Sequence, residues 1–337
     1  MMKSVVCSEP GSLLVQDVAR PVDKPGQVIV KIKRIGICGT DIHAFSGNQP
    51  FFQYPRVLGH ELSGEIESVG AGVALSAGQD VYIVPYMSCG DCIACRRGKT
   101  NCCTDIQVLG VHVDGGMCEY LQVPEQYVIS TKGMDLDQLA VVECLAIGAH
   151  AVRRANLVVG STVLVVGAGP IGMGILQFAK VAGATVFVMD MNPERLAFCR
   201  DELGADQIIQ AGSSAREQID TLTNGDFIDT VFDATGNPKA MEAGFQLVAH
   251  GGSYVLVSVV KGDISFADPE FHKREMTLMG SRNATRADFE QVVSCLENGS
   301  VKVNAMITHR GALLELPQLL ASWSKAESGV IKAVVEV

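Results

Sequence analysis

The sequence predicts an α/β protein in which a doubly wound parallel sheet is inserted between two parts of a β-rich domain. Three observations lead there. Residues 1 to about 143 contain short runs that alternate apolar and polar side chains. From about 150, strand-like and helix-like segments alternate, and after about 282 β-like segments return. At 337 residues the chain is long for one domain, and strands alternating with helices build a parallel sheet covered on both faces. The expected divisions are residues 1–145, the inserted sheet at 146–284, and the return at 285–337.

In the first part, Val28–Ile35 (VIVKIKRI) and Leu62–Val69 (LSGEIESV) have the two-residue period of half-buried strands. In the second, Val163–Val166, Thr185–Asp190, Gln207–Ile209, Ile228–Ala234, Tyr254–Val260 and Met276–Gly280 read as six strands. Helical segments at 171–182, 193–203, 214–223, 238–248 and 268–274 lie between them. A helix at Arg286–Glu297 leads to β-like segments that include Val330–Val335. The 25 uncharged residues Ala155–Ala179 are long enough for a membrane span. Yet Gly160, Gly167, Gly169, Pro170, Gly172 and Gly174 punctuate them, and the period changes midway, as for a strand followed by a buried helix.

Composition narrows the function. The net charge is −10 with no run of lysine or arginine, which argues against nucleic acid and anionic membranes as partners and for a small-molecule substrate. The start, MMKSVVCSEPG, has no apolar core of a secretory signal. Eleven cysteines, four of them clustered, point to metal thiolates in a reducing compartment, the cytoplasm, rather than to disulfides.

The strand Val163–Val166 runs directly into Gly167-Ala168-Gly169-Pro170-Ile171-Gly172 and an apolar helix. The first glycine permits the tight turn, the second admits a pyrophosphate, and the third lets helix pack on strand. The helix N-terminus then offers free N–H groups to phosphate. Asp190, at the end of the next strand, is placed to accept the ribose hydroxyls and to repel a 2′-phosphate, which selects NAD. Arg195 lies nearby and could instead support a phosphate.

Two metal constellations are present. Cys89, Cys92 and Cys95, followed by Cys102 or Cys103, have the spacing of a closed four-thiolate Zn²⁺ site, which is structural because no position is left for water or substrate. Cys38, His60, Glu61 and Glu143 are spread along the chain and supply one thiolate, one imidazole and a carboxylate. That donor set makes an open site with a position for substrate.

Gly36–His43, Gly59-His60-Glu61, the cysteine segment and Gly167–Gly172 stand in the order seen in the zinc-containing medium-chain dehydrogenases, which the chain resembles over essentially its whole length. The resemblance implies a GroES-like catalytic domain interrupted by a Rossmann domain, two Zn²⁺ per subunit, NAD, and a homodimer or homotetramer. It implies Cys103 as the fourth structural ligand and Cys38, His60 and Glu61 on the catalytic metal, with Glu143 bound directly or through water. Thr40 would touch the reacting alcohol, His43 would carry its proton outward, and Asp41 would orient the histidine. The family has Glu-Pro where this chain has Glu143-Cys144, so Cys144 is a rival ligand. The likeness is closest to the polyol and sugar-acid branch. Gly47–Phe52, Tyr54–Leu58, Gly110–Gly116 and Gly280–Thr285 look like bacterial L-galactonate (or L-gulonate) 5-dehydrogenases, which implies a polyhydroxylated substrate. Arg282 aligns with an arginine that in sorbitol dehydrogenases lies beside substrate and cofactor, or is a surface or interface arginine, and His112 either lines the pocket or stabilises its loop.

Overall fold

The computed structural model describes residues 1–49 and 52–337. Part of the Gly47–Phe52 segment therefore lies outside the described residues. The chain forms two compact units, Met1–Glu143 with Val303–Val337, and Cys144–Lys302.

The first unit is built around the strand Gln27–Ile37, in which Val28, Val30, Ile32 and Ile35 are buried. It pairs antiparallel with Glu61–Val69, with Tyr120–Pro124 and with the C-terminal strand Lys332–Glu336. This last pairing explains the split domain, because the final residues complete a sheet begun some 300 residues earlier (Ala333 opposite Ile37). Met2–Glu9, Ser12–Val18 and Arg56–Val57 form a three-stranded sheet. The short ribbon of Tyr86–Met87 with Gln107–Val108 brackets the cysteine segment.

The second unit holds one six-stranded, all-parallel sheet: β1 (Thr162–Val166), β2 (Thr185–Asp190), β3 (Gln207–Gln210), β4 (Ile228–Asp233), β5 (Val248–Leu256) and β6 (Thr277–Gly280). Their order across the sheet is β3-β2-β1-β4-β5-β6, a doubly wound arrangement. Val163, Leu164 and Val165 of the central β1 are fully buried, as a strand covered on both faces requires.

Two boundaries differ from those expected. The helix at 238–248 ends at Gly244, and β5 begins at Val248 rather than Tyr254. The chain passes through His250-Gly251-Gly252 as an irregularity in the β4–β5 register. There Gly252 has no room for a side chain, since a Cβ would sit 2.8 Å from Val248 Cγ1 and 2.9 Å from the Asp229 carbonyl oxygen.

The return to the first unit begins at Val303, not at 285. The helix Arg286–Glu297 is tied to the helix Val142–Ala155 through Asp288, a buried carboxylate. Asp288 accepts Arg153 Nε (2.6 Å) and Nη2 (3.0 Å), lies 2.9 Å from His150 Nδ1, and caps its own helix through Thr285 N and Oγ1, both at 2.8 Å. The first unit in turn ends at Glu143 rather than 145, inside the helix Val142–Ala155.

Burial alone would raise the Asp288 pKa, but the hydrogen bonds from His150, Arg153 and Thr285 outweigh it and hold the carboxyl below its ordinary range. Asp288→Asn should therefore lower the unfolding free energy by about 2 kcal/mol near neutral pH, read by urea denaturation. A depressed folded pKa gives stability that is present above the unfolded value of about 3.9 and is lost as pH falls toward the folded one. The gap between wild type and variant should accordingly close below about pH 4; a gap that stays constant down to pH 3 contradicts this account.

Candidate metal centres and dinucleotide site

Cys89, Cys92, Cys95 and Cys103 bring their sulfurs within 4.8 Å of one another. The Cys89–Cys103, Cys92–Cys95 and Cys89–Cys95 separations are 3.4, 3.5 and 4.0 Å. Four thiolates about 2.3 Å from one ion would stand roughly 3.8 Å apart, so the group fits a tetrahedral ion. Cys102 is exposed and outside the group. Backbone N–H groups of Cys89 and Asp105 point at Cys103 Sγ, and that of Cys92 at Cys89 Sγ. The backbone N–H groups of Cys95 and Thr104 lower Cys92 to about 5, while desolvation and the neighbouring Cys92 push Cys95 up to about 12. A divalent cation bound among them would stabilise all four as thiolates.

Cys38, His60 and Glu61 form a second group within 4.8 Å. Cys38 ends the strand Gln27–Ile37 and opens the helix Gly39–Phe45, while His60 and Glu61 enter the adjacent strand. Glu61 stands opposite Gly36 in that pairing, and a Cβ at Gly36 would meet Glu61 Oε2 at 2.1 Å. Glycine is what lets the carboxylate lie between the two strands. Asp41, fully buried, accepts the N–H of Cys38 (2.9 Å) on one oxygen and the N–H of Gly59 (3.1 Å) on the other. His60 Nδ1 is 3.8 Å from Asp41, beyond a hydrogen bond. Asp41 thus clamps the two backbones that carry the ligands, rather than the imidazole.

The residue types leave unmet valence of the right kind. His60 Nδ1, Glu61 Oε2 and Glu143 Oε2 are buried with no hydrogen-bond partner among the described residues. The other oxygens are engaged. Glu61 Oε1 accepts Lys332 Nζ (2.5 Å), which also donates to the Ile37 carbonyl (3.0 Å), and Glu143 Oε1 accepts the Tyr86 phenol. Asp41, Glu61 and Glu143 are all buried here, and among the described residues of this unit Lys332 is the one buried lysine or arginine. Burial lowers His60, but the negative charges of Cys38, Asp41 and Glu143 override it and raise it well above its ordinary value. Burial raises Glu143 as well. The His60 shift reports excess negative charge and the Glu143 shift a dry site, and a cation bound to sulfur, nitrogen and oxygen donors would relieve both. The residues fit such an ion.

Glu143 lies outside the compact group of three, though close enough for its charge to act on His60. Cys144, the rival ligand, is buried and opens the second unit. Thr40 is half-buried and His43 exposed, three residues apart and so on one face of the helix Gly39–Phe45. His112 Nδ1 accepts the Val108 N–H (3.1 Å), which braces its loop. Arg282 is exposed just beyond β6. Two contacts escaped the sequence reading, Lys332 and Tyr86. Lys332 left a sign, since a lysine within Ile331-Lys-Ala-Val-Val must find a partner once its strand is buried. Tyr86 left none.

In the second unit the glycines take the places their spacing demands. Gly167 has φ +101°, and a Cβ would press on the Ala234 carbonyl at 3.1 Å; a Cβ on Gly172 would lie 1.8 Å from Gly167 O. Gly169 faces open space and caps the helix Pro170–Val181 with no side-chain acceptor, so the first N–H groups, Ile171 among them, are left for an anion. Asp190 accepts Ala168 N (2.6 Å) and Asn192 N (2.7 Å), which fixes its carboxylate at the end of β2 beside the glycine turn. Arg195 is half-buried in the first turn of the following helix.

Comparison with known proteins agrees with this geometry. Residues 24–133 match the alcohol dehydrogenase GroES-like domain, and residues 170–298 match the zinc-binding dehydrogenase family. The chain is 46% identical to L-galactonate-5-dehydrogenase of Escherichia coli K12, over 92% of this chain and 91% of the relative. It is 28% identical to sorbitol dehydrogenase of Bacillus subtilis, over 99% and 97%. The RspB alcohol dehydrogenase of Escherichia coli CFT073, solved in complex with NADH, superposes with a TM-score of 0.94 at 30% identity, over 100% of this chain and 99% of that one. These likenesses run the length of the chain, and with them it belongs to the zinc-type medium-chain alcohol dehydrogenase family, as an oxidoreductase built from a GroES-like domain and a Rossmann domain.

Proposed function

We propose that the protein oxidises a secondary hydroxyl of a six-carbon sugar acid, L-galactonate or L-gulonate at C5, with NAD as oxidant. The observation that carries this reading is the 46% identity to L-galactonate-5-dehydrogenase across 92% of the chain. Cys38, His60 and Glu61 hold the catalytic Zn²⁺, with Glu143 directly or through water, and Cys89, Cys92, Cys95 and Cys103 hold a structural one. Bound there, Zn²⁺ supplies Lewis acidity to the alcohol oxygen. Thr40 orients the hydroxyl, and the exposed His43 passes its proton to solvent. Gly167, Gly169, Pro170, Ile171 and Gly172 seat the pyrophosphate of NAD, and Asp190 takes its ribose hydroxyls. Arg282 meets the substrate carboxylate with parallel hydrogen bonds, and His112 contacts the substrate.

Two further features complete the proposal. β6 pairs only with β5 among the described strands, and Thr277 and Leu278 on it are exposed, which suits pairing with a second copy in a homodimer or homotetramer; light scattering tests it. None of the eleven cysteines is joined in a disulfide, as suits the cytoplasm. No helix of the described residues is long and apolar enough to cross a membrane.

The metal assignment separates by mutation. His60→Ala should leave a folded protein that has lost one metal and roughly 10³-fold in kcat/KM, since a Lewis acid contributes several kcal/mol to the transition state. Cys92→Ser should lose the other metal and much of its thermal stability. Equal loss of folding in both variants contradicts the division.

Asp190 should make NAD the preferred cofactor, and Asp190→Ser should raise relative NADP use, with Arg195 then available to the phosphate. Comparable wild-type kcat/KM with both cofactors overturns that assignment.

The substrate is tested by assaying aldonates, neutral polyols and threonine for nicotinamide reduction. L-galactonate or L-gulonate should give the highest kcat/KM. Arg282→Ala should cost about 2 kcal/mol of transition-state stabilisation on the aldonate and much less on sorbitol. A wild-type preference for neutral polyols or threonine refutes the assignment; equal losses on both substrates remove Arg282 from it.

A further inference from the structure

We infer that Tyr86 is a positioning residue for the metal centre: its phenol holds one oxygen of Glu143 and so presents the other to the Cys38–His60–Glu61 group. The inference rests on the reading of that group as a metal site, and it concerns a residue for which neither motif nor spacing gives a role.

Both atoms of the contact are carried by backbone that is itself fixed. Tyr86 belongs to the ribbon in which it stands opposite Val108, and two residues later Ser88 N donates to Tyr127 Oη (3.0 Å). Glu143 is in the first turn of the helix Val142–Ala155. A strand-borne donor and a helix-borne acceptor therefore meet across the first unit, and both side chains are buried. The phenol donates to Glu143 Oε1, while Oε2 remains buried without a partner.

The identity of the partner matters. Glu61 is held by the ammonium of Lys332, so its charge is compensated inside the protein. Glu143 is held by a neutral hydroxyl, which fixes the direction of the carboxylate and leaves its charge in place. Of the two carboxylates, Glu143 is the one not hydrogen-bonded to an ammonium, and its field reaches His60. A phenylalanine at position 86 would fill the same space and release that orientation.

The test uses the full-length, zinc-loaded protein without substrate. A chelating dye follows metal release, with the easily exchanged metal separated from the one held by four thiolates. Tyr86→Phe should weaken retention of the exchangeable metal about 10–100-fold, as loss of an outer partner of a metal ligand does. The four-thiolate metal should be released at the wild-type rate. In a Glu143→Ala background the same change should have no further effect. Release at the wild-type rate in Tyr86→Phe, or an equal factor in both backgrounds, overturns the inference. Should Tyr86→Phe not fold, Glu143→Gln keeps an acceptor for the phenol while removing the charge. It must loosen the same metal, and unchanged retention in it also overturns the inference. A wild-type protein that carries no exchangeable metal at all identifies the reading of the site, not the role of Tyr86, as the error. No outcome depends on which alcohol is oxidised.

Discussion

The first unit is organised around buried negative charge. Asp41, Glu61 and Glu143 lie within it beside the Cys38 sulfur, and isolated carboxylates are not stable in such surroundings. Each is answered differently. Asp41 is satisfied by two backbone N–H groups, Glu61 by Lys332, and Glu143 by the Tyr86 hydroxyl. What remains without a hydrogen-bond partner among the described residues is one atom each on His60, Glu61 and Glu143, donors that a divalent cation would satisfy. The arrangement also accounts for the path of the chain. The ammonium that compensates Glu61 comes from a position 271 residues later, so the C-terminal strand must return to the first sheet for the site to close. Splitting the domain around an inserted one is how a late residue reaches an early one.

The two sulfur-containing groups illustrate opposite solutions with the same element. In the cysteine segment the four sulfurs lie within 14 positions of one another and receive backbone N–H groups from their own loop. Nothing remote is needed, and the set is closed. The Cys38 group draws its members from two strands, with Asp41 holding both backbones and Gly36 vacating space for Glu61. Its stability comes from the whole sheet. Local construction suits an inert ion, whereas assembly from distant elements leaves a face of the ion without a protein donor.

Legibility in the sequence follows that same difference. The glycine turn was readable because its constraints are steric and local: Gly167 needs positive φ, and Gly172 must pass 1.8 Å, by a notional Cβ, from the Gly167 carbonyl. The cysteine segment was readable because its ligands are neighbours, although only the structure separates Cys103 from Cys102 in space. Long-range pairing was not readable. The attachment of the helix Arg286–Glu297 to the second unit depends on Arg153 and His150, more than 130 residues away, so the return to the first unit was placed too early. Likewise Tyr86 is an aromatic in a two-residue strand until the fold brings it to Glu143. Asp41 was visible as an acid near Cys38, but that its oxygens would face backbone rather than imidazole is set by the approach of Gly59, which no spacing encodes.

Of the two residues proposed for the substrate, Arg282 is exposed, and His112 is engaged in bracing its own loop. The proposed metal donors Glu61 and Glu143 are buried groups, and removing either leaves its partner unmet in the dry interior. Arg282, proposed for the substrate carboxylate, is exposed, where substitution costs little stability. A family built this way can change the alcohol it oxidises while keeping its chemistry, since the two properties reside in residues with different degrees of physical constraint.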